Sequence, residues 1–134
     1  MTINFENSPV YINSDIRDFV IKVSDLFCLY NVDFNFKINP RMKGNYRGMC
    51  GYPDCYDIPN LRVGMTKGKV RGTTIVHELI HMMNYIHMLN INETHHFHNL
   101  HHVVREQGRR TDDEVDTYSR LVLKDLTGKY EVFL

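Results

Sequence analysis

Apolar residues recur at helical spacing through the early part of the chain, where Ile16, Phe19, Val20, Val23, Leu26, Phe27 and Tyr30 share one face at 3.6 residues per turn. Ser14 supplies a cap, with Asp15 and Asp18 in the turn behind it, so the pattern predicts a core helix over 14–30. The period then changes. Val32, Phe34, Phe36 and Ile38 alternate with Asp33, Asn35, Lys37 and Asn39, as a half-buried strand requires, and Pro40 and Gly44 end the run. A short second strand is predicted over 48–52 and a third over 61–65, with Pro53 and Pro59 bounding the loop between them. The third is expected at a cleft edge, where an extended peptide could add by backbone hydrogen bonds.

Helical spacing returns over 75–89. Ile75, Leu79, Met82, Met83 and Ile86 form a wide stripe, His77, His81, Asn84 and Met88 lie opposite, and Val76 and Ile80 are apolar on a flank. Such a helix is expected to be buried nearly all round, with its histidine stripe facing a cleft. Thr73 or Thr74 is the expected cap, and Gly68 and Gly72 loosen the loop before it. After a polar break over 90–94, two further helical patterns span 95–107 and 112–126, stopped by Gly108 and Gly128. Residues 130–134 could add a terminal strand. The class is therefore α+β over 1–134 as one domain: an N-terminal helix, a small antiparallel or mixed sheet, a histidine-bearing helix and two C-terminal helices.

Composition narrows the function classes. The 134 residues are 43% hydrophobic, enough for one modest core, and 16 basic residues balance 16 acidic ones. No overall field draws the chain to nucleic acid or to an anionic membrane, which argues against both as partners. Cys28, Cys50 and Cys55 are an odd, sparse set that argues for a reducing compartment rather than a disulfide framework. The first residues lack a basic segment followed by an apolar run, and no stretch approaches ~18 apolar residues. A cytoplasmic, soluble protein is expected; nothing here fixes its oligomeric state.

The chemistry is concentrated in His77-Glu78-Leu79-Ile80-His81, an HExxH motif. Residues four apart on a helix stand nearly above one another, so the two imidazoles can share one metal ion, while Glu78 lies about 100° around, beside the ion. Zinc held by three protein ligands keeps an open position where water becomes acidic near pH 7 and a neighbouring carboxylate can take its proton. The motif thus points to one Zn2+, held by His77 and His81, with Glu78 as general base. Two histidines and a carboxylate also suit iron(II), but the helical motif favours zinc.

A third ligand is needed downstream. On the last helix Val115, Tyr118, Leu121, Val122 and Leu126 define an apolar face, and Glu114 falls within its arc, where an unpaired acid would be costly. Glu114 is the expected third ligand; as a plain structural residue it would serve the helix dipole instead. On the preceding helix His96 shares a face with Phe97, Leu100, Val103 and Val104 and is the alternative ligand, or a donor in the cleft. The remaining histidines of the 95–102 cluster are expected to face solvent.

The stretch Thr73 to His81 resembles the active-site helix of small gluzincin peptidases, including compact phage-encoded and bacterial ones. Asp113-Glu114-Val115-Asp116-Thr117-Tyr118-Ser119-Arg120-Leu121 resembles their later glutamate helix. That resemblance implies a zincin-like domain, a zinc metallopeptidase acting on a protein or peptide, and Glu114 as third ligand. A rival resemblance is to the SprT-like family, whose third histidine lies some fifteen residues beyond the motif, where His96 stands, and it implies proteolysis of DNA-associated proteins. Phe97 stands where that family has glycine, and no room remains for the zinc ribbon many members carry. Outside the enzymes, the same metal could stabilise a non-catalytic interaction or regulatory module, though such a module has no use for Glu78.

Overall fold

The computed structural model describes residues 2–29, 32–42, 47–51, 58–91 and 112–134. Among them the chain is α+β, in the order β1 (Thr2–Glu6), α1 (Ser14–Leu26), β2 (Asp33–Ile38), β3 (Gly48–Gly51), β4 (Asn60–Val63), α2 (Gly72–Ile91) and α3 (Asp112–Thr127). The expected helix over 95–107, and with it His96, lies outside the described residues. No described helix is long and apolar enough to cross a membrane.

The four strands form one mixed sheet in the order β1-β2-β4-β3. β1, β2 and β4 run parallel, with Phe5 opposite Phe36 and Phe36 opposite Leu61, and β3 runs antiparallel to β4. The alternation read along β2 is realised in full. Phe34, Phe36 and Ile38 are buried, and they join Leu61, Val63, the α1 residues Phe19, Val20 and Val23, and Ile75, Val76 and Leu79 of α2 in one core. The pleat sends the other residues to the opposite face. There Asn4 donates to Asn35 (3.1 Å) and Asn35 to Asn60 (2.8 Å), a ladder of amides across three parallel strands. Slipping β2 by one residue would break this ladder and turn Phe34 and Phe36 outward, so the polar and apolar faces specify the same register.

β4 is an interior strand, not the sheet edge expected of it; the edge beside α2 is β3. The reason lies in the connections. β3 follows β2 in the chain, yet β4 inserts between them, pairing parallel with β2 and antiparallel with β3. A residue pattern local to each strand carries no record of that insertion.

α1 is shorter than its apolar pattern and is capped one residue earlier. The Asn13 side chain accepts from the Ile16 amide (2.9 Å), and the helix ends where Leu29 N–H bonds to Ser24 O and Cys28 N–H to Asp25 O, both at 3.0 Å. This is a Schellman ending with Cys28 in the left-handed position (φ 58°). It turns Leu29 inward, 2% exposed, and leaves Leu26 outside.

The start of α2 is held from the far end of the chain. Neither Thr73 nor Thr74 caps it from outside: both lie within the helix, whose first residue is Gly72. The carboxylate of Glu131 accepts from Thr73 N–H (3.0 Å) and from the Thr73 hydroxyl, and binds the Arg71 guanidinium at 3.0 Å. The terminal segment is tied down by reciprocal bonds between Val70 and Leu134 and by Gly72 N–H to Val132 O (2.8 Å). Gly72 is no loosening element. A β-carbon there would lie 2.6 Å from Val132 Cγ2 and 3.2 Å from Leu123 Cδ2. Replacing Glu131 by alanine strips an orphan helix donor and a guanidinium of a partly buried partner. We expect a loss of about 1–3 kcal/mol, read as a lower midpoint in urea unfolding at unchanged slope.

Candidate functional site

α2 carries the motif, and its packing decides where each motif residue points. Ile75, Val76, Leu79 and Ile80 are buried in the core, Glu78 is 7% exposed, and His77 and His81 lie half-buried on the remaining arc. Over residues 72–83 the helix is thus buried on most of its circumference, as its pattern there required.

The two imidazoles meet. His77 Nε2 and His81 Nε2 are 3.0 Å apart, and the rings stand at 66° with centroids 4.7 Å apart. The orientation of His77 is set from α3, because its Nδ1 lies 2.7 Å from Asp116 Oδ1. A carboxylate accepts only, so Nδ1 carries the proton it donates to Asp116, and Nε2 is the ring nitrogen that faces His81. Two ligand nitrogens on one tetrahedral zinc, with bonds of about 2.0–2.1 Å, stand roughly 3.3 Å apart. The pair fits two corners of such a site, and the carboxylate on the distal nitrogen is the partner that metal-ligating histidines commonly have.

Glu78 points to the sheet edge. A β-carbon on Gly48, the first residue of β3, would lie 2.9 Å from both Cγ and Oε1 of Glu78 and 3.0 Å from Cγ2 of Thr74. The carboxylate therefore lies against the backbone of the edge strand, in room that exists only because position 48 has no side chain.

α3 is rotated relative to the face its sequence suggested. Val115, Ser119, Val122 and Leu123 are its buried residues, while Tyr118 and Leu121 are 52% and 51% exposed, and Glu114 is exposed. Ser119 makes this possible. Its hydroxyl bonds back to Val115 O (2.7 Å), so a small, internally satisfied residue occupies the seam where a larger apolar one was expected. The rotation replaces the anticipated inward position of Glu114 with an approach by Asp116, whose side chain stays 60% exposed even as it reaches His77. Among the described residues no group of three or more His, Cys, Asp or Glu side chains is close enough to hold a metal ion, so His77, His81 and Glu114 are not gathered into one set. Asp116 is the functional candidate that sequence reasoning missed. The signal was there in three acids within four residues, Asp113, Glu114 and Asp116, but choosing among them requires the rotation of the helix.

Removing the Asp116 carboxylate should leave the fold intact and loosen the ring it orients. If the histidine pair holds zinc, Asp116→Ala should weaken that affinity about ten- to hundred-fold in competition with a chromophoric chelator, with Asp116→Asn, which keeps an acceptor, falling between.

No protein-family model matches this sequence, nor does any curated protein or solved structure.

Proposed function

We propose that this chain is a zincin-like, zinc-dependent metallopeptidase. The observation that carries the reading is the convergence of His77 and His81 ring nitrogens at 3.0 Å on the same helix as a buried glutamate that lies against a sheet edge. A zinc ion held there would supply a Lewis acid for the substrate carbonyl and lower the pKa of water beside it toward 7. His77 and His81 would hold it, and the Asp116 carboxylate, accepting from His77 Nδ1, would direct the Nε2 lone pair of that ring to the metal. Glu78 acts as the base that takes the proton of the attacking water and then returns it to the departing amine. Its burial excludes competing solvent and holds the carboxylate on one side of the histidine pair. The third ligand expected from the sequence is Glu114 or His96, and Glu114 is exposed on α3 and not gathered with the histidine pair; the SprT-like resemblance stands or falls with His96.

Elemental mass spectrometry tests the reading. Wild-type protein should carry one zinc per chain, absent from His77→Ala and from His81→Ala, and zinc-loaded protein should cleave an unfolded protein substrate. Loss of zinc in Glu114→Ala or in His96→Ala names the third ligand. Zinc-free wild type prepared without chelators, or zinc that survives both motif substitutions, would overturn the proposal.

A further inference from the structure

A small cleft opens beside Glu78, and the described residues that line it carry one sign of charge. It holds about 180 Å³ and is lined by Arg41, Met42, Arg47, Gly64, Thr66 and Thr74 of α2. Thr74 is one helical turn before Glu78, and a β-carbon on Gly48 would touch both side chains, so the cleft and the proposed base adjoin the same point of the edge strand. Its walls are fixed by the sheet. Gly64 N–H bonds to Arg47 O at 2.6 Å, and a β-carbon on Gly64 would lie 3.0 Å from Met42 Cγ, so a side chain there would close the space.

Among the described residues no acid lines the cleft, and neither Arg41 nor Arg47 forms an ion pair with a carboxylate. Two arginines on the lining of one recess are suited to a carboxylate, which a guanidinium can bind through paired N–H groups, and Thr66 and Thr74 on the same lining carry hydroxyls. The volume is below the roughly 300–1,000 Å³ usual for a free small-molecule ligand, yet sufficient for one side chain. We propose that this cleft is a specificity subsite that selects an acidic residue, glutamate or aspartate, in the substrate peptide beside the scissile bond. The proposal rests on the peptidase reading for its role and on the cleft alone for its binding preference.

Binding and cleavage are therefore measured separately. Zinc-loaded Glu78→Gln protein is titrated, by fluorescence anisotropy, into labelled peptide pools with randomised flanks around a fixed central Glu or Gln. The Glu pool should bind about tenfold more tightly, the advantage should shrink as salt is raised, and Arg41→Ala with Arg47→Ala should abolish it while leaving the Gln pool unchanged. Equal affinities for the two pools, or discrimination that survives the double substitution, would sink the proposal. Cleavage sites of wild-type protein on a mixed peptide library give the second readout. Cleavage without acidic preference overturns the subsite and leaves the peptidase; acidic preference in binding without cleavage upholds the subsite and removes the peptidase.

Discussion

On the metallopeptidase reading proposed above, Glu78→Gln is expected to bind zinc as wild type does and to lose most of the hydrolysis. The substitution preserves shape at a site only 7% exposed, so the packing of α2 against the sheet should survive, and His77 and His81 are untouched. What disappears is the ability to accept a proton. General-base catalysis contributes roughly 10²–10⁴-fold to a rate, or about 3–5 kcal/mol of barrier, so kcat on a fluorogenic peptide should fall by that factor at unchanged metal stoichiometry and melting temperature. The same variant separates the enzyme from a zinc-stabilised interaction module. A module that uses the metal only to hold its shape would be indifferent to the change, and undiminished hydrolysis in Glu78→Gln would remove this glutamate from the mechanism.

Buried on one side of a helix and turned toward an edge strand, Glu78 shows which parts of the site a sequence can carry. The spacing of His77 and His81 fixes their mutual approach, because an α-helix sets that distance by itself. The burial of α2 follows from Ile75, Val76, Leu79 and Ile80, and the alternation in β2 follows from Phe34, Phe36 and Ile38. These are local periods, and they are legible. Relations between elements were not. The rotation of α3 hinges on Ser119, a polar residue in a packed seam, and it places Asp116 rather than Glu114 beside His77. The cap on α2 comes from Glu131, 58 residues after Thr73, where no local capping rule would look. β1 offers only Ile3 and Phe5 as apolar positions and gains its place by pairing with β2 across the α1 connection. Its register is then fixed by the Asn4-Asn35-Asn60 ladder, whose members look like ordinary surface residues until three strands are aligned.

The position of Glu78 is also vulnerable from outside its helix, through a residue that carries no functional group. Gly48→Ala should leave the metal bound and cripple catalysis. The added carbon would stand 2.9 Å from Glu78 Cγ and Oε1, inside van der Waals contact, and the carboxylate is the mobile partner because the strand backbone is tied to Val63 of β4. It must swing aside. A displacement near 1 Å at a catalytic group can cost on the order of 10²-fold in rate, so kcat should fall by about that much while one zinc per chain and the KM of a short peptide stay close to wild type. Overpacking can itself destabilise by about 1–3 kcal/mol, and the double variant Gly48→Ala with Thr74→Ser separates the two effects. Thr74 Cγ2 is the other atom in the way, at 3.0 Å, and removing it should recover melting temperature without recovering kcat. If activity returned along with stability, or if Gly48→Ala alone turned over at the wild-type rate, the side-chain-free contact between β3 and Glu78 would have no part in aiming the base.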